Sequence, residues 1–156
     1  MIISFTIKNF RSYKDEAEFS FEAVDSNFNS ENVTSIQLED GEEVRLLKSA
    51  AIFGGNASGK SNTIWALYVL SNLVAHSLKN DVNTPIYGYF PYVLDRESVN
   101  KPSQIGIDFI VDSKRYRYEI VFNSIIHRES LSIIRKGLEE NIFVVSIDEN
   151  NKKRKI

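Results

Sequence analysis

The chain has 156 residues, a net charge of −2, no cysteine, 42% hydrophobic residues and 26% charged residues, values typical of a globular domain that is long enough to bury a core. This composition argues against whole-chain disorder, a global basic field that would attract DNA or membranes, a disulfide framework and a thiolate metal site. Because the N-terminus lacks a signal-peptide core and no apolar run approaches the roughly 18 residues of a membrane span, we expect a cytoplasmic protein with no membrane partner.

Alternating apolar residues predict two β-hairpins near the N-terminus. Ile3 to Ile7 and Ala17 to Phe21 both alternate with polar residues, and the stretch Asn9 to Lys14 between them is typical of a turn. A polar loop follows. Val33 to Leu47 then predicts a weaker hairpin around the turn-favouring pair Asp40-Gly41.

A short strand, a glycine-rich loop and a helix are predicted next. The apolar run Ala50–Phe53 indicates a buried strand that leads into the loop 54–59. A helix is predicted from Lys60 to Leu78. Helical spacing places one set of residues on a common face: Ile64, Leu67, Ser71, Val74 and Leu78. A second set widens this apolar face: Trp65, Leu70 and Leu73. We therefore expect the helix to be covered on more than one side.

The C-terminal half predicts strands after an irregular aromatic segment, Pro85–Pro102. Period-two alternation predicts four of them: Ile105–Val111, Tyr116–Phe122, Ile126–Arg135 and Ile142–Ile147. The expected fold class is α/β, with antiparallel strands around one early helix and not an alternating βαβα series. We expect residues 1–156 to form a single domain.

The motif that carries chemistry is Gly54-x-x-x-x-Gly59-Lys60-Ser61, which matches the phosphate-binding pattern G-x-x-x-x-G-K-[ST] at every fixed position. Glycines let such a loop curl so that its amides, together with those of the following helix start, point at phosphate oxygens. The motif predicts ATP and Mg²⁺ as ligands, with the catalytic Lys60 near the β- and γ-phosphates and the Ser61 hydroxyl on Mg²⁺. The predicted phosphate-binding residues are Gly54, Gly55, Asn56, Ala57, Ser58, Gly59, Lys60 and Ser61. The alternative is a glycine-rich turn without a ligand.

Two stretches, Lys8–Tyr13 and Ala50–Asn62, resemble the N-terminal lobe of ABC-type AAA family ATPases, which are P-loop NTPases. That group includes the heads of chromosome-maintenance and recombination-repair proteins and the overcoming-lysogenization-defect type of phage-defence ATPases. The loop sequence is most similar to the defence-associated branch. The resemblance implies that Asn62 lies near the α-phosphate and that Arg11 lies near the nucleotide. The alternative for Arg11 is a solvated turn residue.

The resemblance also implies parts that these residues do not supply. In the family, a signature motif, a Walker B acidic pair and a polarising histidine come from the C-terminal half, and ATP is sandwiched between two heads. We expect the chain to be the front part of a longer ATPase that binds ATP weakly alone, forms homo-oligomers through ATP-sandwiched heads and switches an effector such as a nuclease or toxin. A DNA-repair or chromosome-maintenance head, and a non-hydrolysing nucleotide-sensing module, remain alternatives.

Several weaker features allow both a functional and a structural interpretation. Asp148-Glu149 imitates the end of a Walker B strand, but a strand running into a turn explains it as well. Gln104 fits a γ-phosphate sensor or an ordinary strand-edge residue. The basic run Lys152–Lys155 fits DNA contact or a solvated tail. The aromatic residues Tyr87–Tyr92 fit adenine stacking or packing. The two histidines lack metal-site spacing.

Overall fold

A computed structural model describes residues 1–25, 29–76, 86–148 and 153–155 of the chain. In this part of the chain there are nine β-strands: β1 (Ile2–Lys8), β2 (Ala17–Ser20), β3 (Val33–Gln37), β4 (Glu43–Leu47), β5 (Ser103–Val111), β6 (Lys114–Phe122), β7 (Ile126–Arg135), β8 (Leu138–Asp148) and β9 (Lys153–Lys155). The helices are α1 (Lys60–His76) and two single 3₁₀ turns, Ser30–Asn32 and Ser98–Asn100. None of the described helices is long and apolar enough to cross a membrane.

Seven strands form one antiparallel sheet in the order β2-β1-β5-β6-β7-β8-β9, and β3 and β4 form a separate two-stranded sheet. The hairpins predicted from alternation are thereby confirmed, including the turn at Asp40-Gly41. The turn between β5 and β6 uses Asp112 and Ser113, which both adopt left-handed backbone angles. The expected fold class, α/β with antiparallel strands around one helix, is confirmed at this level.

The main core lies between α1 and one face of the large sheet. The helix contributes Ala66, Val69, Leu70 and Leu73, and the sheet contributes strand residues of β1, β5 and β6. A smaller core at the other end joins the two sheets through Ile3, Leu38, Val44, Leu46 and Ile110. The helix therefore lies on the sheet by one face only, and its N-terminus is placed at the end of β1.

The exposed residues of α1 correct the predicted apolar face. The buried positions are Thr63, Ala66, Val69, Leu70 and Leu73, a stripe at helical spacing. By contrast, Ile64 and Val74 are 61% and 48% exposed. The prediction that more than one side would be covered is therefore wrong for the described residues, because the sheet packs on a single side of the helix. The predicted end at Leu78 lies outside the described residues.

The predicted buried strand Ala50–Phe53 is also absent. These residues form no strand, and Ile52 and Phe53 are 43% and 89% exposed. An apolar run forms a buried strand only when a neighbouring strand accepts its backbone hydrogen bonds. No described strand pairs with this segment, so its side chains stay exposed up to the start of the glycine-rich loop.

Candidate functional site

The glycine-rich loop 54–59 is curled and ends where α1 begins, at Lys60. Two of its residues, Ala57 and Gly59, have left-handed φ values of 63° and 98°. The Ser58 N–H donates to the Gly55 carbonyl over 3.3 Å, and the Gly59 carbonyl accepts from the Asn62 N–H over 2.8 Å. The loop thus turns back on itself directly in front of the helix.

The Lys60 side chain closes the loop. Its ammonium donates to the Gly54 carbonyl over 2.8 Å and to the Gly55 carbonyl over 2.6 Å, and the Ser58 Oγ lies 3.5 Å away. The positive charge is therefore held among oxygens of the loop itself. An ammonium on a flexible four-carbon stem can exchange such neutral carbonyls for a more strongly charged acceptor.

The backbone amides at this end of the helix are unpaired. Among the described residues, seven of the eight amides from Gly54 to Ser61 donate no hydrogen bond to protein, and the exception is that of Ser58. The first amides of a helix lack an intrahelical acceptor, and the helix dipole adds a partial positive charge there. Free amides, an ammonium and a helix N-terminus together form an arrangement that can bind a polyphosphate.

The turn between β1 and β2 packs on the start of α1. The Tyr13 hydroxyl lies 2.7 Å from the Thr63 Oγ1 and donates to the Gly59 carbonyl over 3.3 Å. The Asn62 Nδ2 donates to the Ser12 Oγ over 2.9 Å. The turn and the loop are therefore one connected unit, which joins the two sequence stretches that carry the family resemblance.

Asn9 fixes this turn from behind. Its Nδ2 donates to the carbonyls of Ser98, Lys101 and Pro102 over 2.9, 2.7 and 3.2 Å. Its Oδ1 accepts from the Tyr92 N–H over 3.1 Å, and its own φ is 48°. Asparagine tolerates this left-handed angle better than most residues. The side chain ties the turn to the irregular segment 86–102.

Arg11 lies at the side of the helix start and is half-buried. Its Nη1 is 3.5 Å from the Asn62 Oδ1. Its Cζ lies 4.9 Å from the Trp65 ring centroid and 4.6 Å from that of Phe90, and its backbone N–H donates to the Phe90 carbonyl over 2.7 Å. The buried Nε has no hydrogen-bond partner. The guanidinium is therefore held by its neighbours and is not freely solvated, and its place near the nucleotide stays a prediction.

A protein-family model described as "AAA domain, putative AbiEii toxin, Type IV TA system" matches residues 49–154. The chain belongs to this AAA family. The matched range includes the glycine-rich loop and α1, and begins after the turn that carries Arg11. No curated protein matches the chain. Membership supports an AAA, P-loop ATPase-type domain and agrees with the resemblance at that coarser level.

The Walker B candidate of this AAA domain lies far from the loop. Aligned strand positions run from Lys8 through Gln104, Val121 and Arg128 to Ser146, so the C-terminal end of β8 lies four strands from the turn. At the usual strand spacing that is about 19 Å. Asp148 ends β8 and pairs with Lys153 of the antiparallel β9, as in a hairpin. Glu149 and Lys152 lie outside the described residues.

The other weak candidates are engaged elsewhere. Gln104 donates to the Glu119 Oε2 over 3.0 Å and makes no contact with the loop. Tyr87 is 95% exposed, and the Tyr89 hydroxyl donates to the Val99 and Lys101 carbonyls over 3.0 and 2.9 Å. Adenine stacking by these residues stays a prediction. The described residues contain no cluster of three or more His, Cys, Asp or Glu that could hold a metal.

Two perturbed groups belong to the segment that supports the turn. Hydrogen bonds from the Ser98 hydroxyl and amide, over 2.7 and 3.0 Å, lower the pKa of Asp95, and Lys14 at 3.5 Å adds to that effect. Burial raises the pKa of Tyr89. In its ionised form Asp95 therefore links Ser98 of this segment to Lys14 of the turn.

Sequence reasoning missed the residues that assemble the site: Asn9, Ser12, Tyr13, Thr63, Trp65 and Phe90. Trp65 could have been found from its position, because it lies one helical turn after Asn62. Phe90 carried no usable signal, since its position depends on an irregular segment.

Proposed function

We propose that this AAA domain binds ATP with Mg²⁺ at residues 54–62, next to Arg11. The observation that carries the proposal is the set of unpaired amides in the loop and the first turn of α1, together with the Lys60 ammonium that is bonded to the loop carbonyls. These donors supply positive electrostatic potential, and no carboxylate of the described residues is bonded to the ammonium. A nucleoside triphosphate with its metal matches that charge, and the family match to an ATPase-type domain supports the choice.

Each residue has a defined task in this proposal. The loop amides and the ammonium of Lys60 hold phosphate oxygens, and the exposed Ser61 supplies a hydroxyl for Mg²⁺. Asn62 and Arg11 add polar donors beside the helix start. When bound, Mg-ATP supplies the phosphoryl group. Among the described residues, no carboxylate forms a hydrogen bond or ion pair with residues 54–62, and we infer that the chain alone hydrolyses ATP poorly.

We further infer that residues 1–156 form one lobe of a longer ATPase. Ile52, Phe53, Ile64 and Tyr68 are apolar or aromatic and are 43%, 89%, 61% and 58% exposed. A helix that is apolar on several sides is normally buried. These side chains, with the open segment 50–53, fit a further layer that contributes a strand, the signature motif and the Walker B acids.

The oligomer and effector proposals rest on the resemblance and on the family description. We propose that complete heads dimerise on ATP and switch a toxin-type or nuclease effector, in a defence setting. No surface of the described residues favours the alternative of a DNA-repair or chromosome-maintenance head over this proposal. If the complete protein kept its biological activity after Lys60 was substituted, the alternative of a non-hydrolysing module would be preferred to the ATPase proposal.

The proposal is tested by the thermal stability of the chain with and without Mg-ATP. At 100 times the dissociation constant, bound nucleotide adds about 2.7 kcal/mol of stability, which raises the melting temperature by about 5–10 °C in a domain of this size. Lys60→Ala should abolish the shift. Lys101→Ala, which removes a lysine paired with exposed Glu97, should retain it. Equal shifts in wild type and Lys60→Ala, or none at millimolar Mg-ATP, would overturn the proposal.

A further inference from the structure

We propose that Trp65 and Phe90 act as positioning residues that hold the Arg11 guanidinium ready for a phosphate group of the nucleotide. We call this pair of rings the aromatic clamp. The inference rests on the proposed nucleotide site and adds two residues to it. In this proposal the two rings act on the nucleotide only through Arg11.

The geometry of the aromatic clamp is that of a double cation–π contact. The Arg11 Cζ lies 4.9 Å from the Trp65 ring centroid and 4.6 Å from the Phe90 ring centroid. Both distances are inside the limit of about 6 Å within which the ring quadrupole attracts a cation. Two rings on one guanidinium restrict its orientation far more than a single flexible contact would.

The clamp leaves the hydrogen-bonding capacity of Arg11 unused. A cation–π contact consumes no N–H donor. Among the described residues, Arg11 forms no ion pair with a carboxylate, its only side-chain hydrogen bond is the 3.5 Å contact with the Asn62 Oδ1, and its buried Nε has no partner. A buried donor without a partner is costly. A phosphate oxygen would satisfy it, and the planar guanidinium is suited to such an acceptor.

The two rings come from different parts of the chain, and each is tied to the site. Trp65 follows Asn62 by about one turn of α1, so its backbone position relative to the helix N-terminus is set by the helix. Phe90 accepts a hydrogen bond from the Arg11 backbone N–H through its carbonyl, over 2.7 Å. Because that bond uses the main chain, Phe90→Leu removes the ring and keeps the connection.

A simple packing role for the rings makes different predictions from a positioning role. If Trp65 and Phe90 only stabilise the fold, their loss weakens nucleotide binding whether or not Arg11 is present. If they act through the guanidinium, their loss has no effect once Arg11 is removed. A double-mutant cycle distinguishes the two.

The test measures the dissociation constant of Mg-ATP by calorimetry on the full chain. We expect Trp65→Leu and Phe90→Leu each to raise it about 3- to 10-fold, from the usual strength of partly desolvated cation–π contacts. Trp65→Phe keeps a ring face and should restore most of the affinity. Arg11→Ala should raise the constant at least as much as either Leu variant. In that background, Trp65→Leu should change nothing further.

A spectroscopic readout and a control complete the experiment. Trp65 is the single tryptophan of the chain, so its fluorescence reports the stacked guanidinium and should change in Arg11→Ala without ligand. Tyr87→Leu removes an aromatic ring that is 95% exposed and makes no contact with Arg11, and should bind as wild type.

The outcomes separate the clamp from the site itself. An equal loss of affinity from Trp65→Leu in the presence and absence of Arg11 would overturn the positioning role, as would wild-type binding by Arg11→Ala. Binding that depends on Lys60 but shows no such coupling refutes the clamp alone. Binding that does not depend on Lys60 refutes the proposed function and the clamp with it. If Trp65→Leu fails to fold, Phe90→Leu carries the same cycle.

Discussion

Replacing Gly59 by alanine should damage the candidate site far more than replacing Gly55, although both glycines lie in the same loop. Gly59 has a φ of 98°, and a Cβ there would meet the Ser12 Oγ at 2.6 Å. Gly55 lies outside the left-handed region, and a Cβ there would meet nothing within 4 Å. The comparison therefore isolates backbone conformation and close approach from the mere presence of a methyl group.

The cost at Gly59 has two parts. A residue with a Cβ in a left-handed conformation loses about 1–3 kcal/mol. Moving the Ser12 hydroxyl away breaks its 2.9 Å hydrogen bond from the Asn62 Nδ2, which costs about 1 kcal/mol. We therefore expect Gly59→Ala to lower the free energy of unfolding by about 2–4 kcal/mol, and Gly55→Ala to change it by less than about 0.5 kcal/mol.

Urea denaturation measures both changes, and the Mg-ATP thermal shift gives the functional consequence. Gly59→Ala should also lose most of the shift, because the loop can no longer meet the helix start at the same angle. Ser12→Ala removes both the closest contact and the hydrogen bond to Asn62, so Gly59→Ala introduced into the Ser12→Ala background should cost only the backbone part, about 1–3 kcal/mol. Equal destabilisation by Gly55→Ala and Gly59→Ala would refute the reasoning.

Three further predictions concern the scaffold. Burial, and then the Glu129 carboxylate 2.8 Å from the hydroxyl, raise the pKa of Tyr118 above its usual value. The stability that comes from the protonated phenol is therefore complete below the unfolded pKa of about 10 and is lost as pH rises above it. Above about pH 10, the free energy of unfolding should fall less steeply with pH in Tyr118→Phe than in wild type. The Asp108 carboxylate, 5% exposed, accepts from Arg115 over 3.1 Å and from Arg117 over 2.7 Å, and Asp108→Ala should cost about 3 kcal/mol in urea denaturation. Asn9→Ala removes the side chain that bonds three carbonyls and should cost about 2–4 kcal/mol and weaken the Mg-ATP shift.

Each of these three predictions has a control variant or a result that would contradict it. Glu140 forms an exposed pair with Arg135, so Glu140→Ala should cost less than about 1 kcal/mol; an effect as large as that of Asp108→Ala would contradict the buried-pair argument. Identical alkaline slopes in wild type and Tyr118→Phe would show that another group causes the loss. Unchanged nucleotide binding in Asn9→Ala would show that the turn is positioned without it.

The strands were predictable because their signals are local. Period-two alternation in Ile3 to Ile7 and in Ile105 to Val111 reflects a sheet with one face on the core, and turn-forming pairs set the hairpin connections. The bounds of β7, Ile126–Arg135, match the prediction. The motif also located the loop and the first residue of α1, because the φ of 98° at Gly59, directly before the helix, favours glycine.

The features that the sequence did not predict depend on contacts between distant parts of the chain. Apolar Ala50–Phe53 predicts burial, but whether it is buried depends on a neighbouring strand that the described residues do not supply. The covered face of α1 could not be chosen from spacing alone, since Ile64 and Leu70 lie on different sides and are both apolar. The contacts of Arg11 with Trp65 and Phe90 join three distant parts of the chain, and no single stretch encodes them.

The bonds of Lys60 to the carbonyls of Gly54 and Gly55 have a calorimetric consequence. These bonds already give the loop its closed shape, so an entering triphosphate exchanges partners and does not have to order the chain. Binding should then carry little of the unfavourable entropy and of the negative heat-capacity change that accompany coupled folding. Selectivity for highly charged anions follows as well, because a weakly charged one gains too little to displace two short hydrogen bonds.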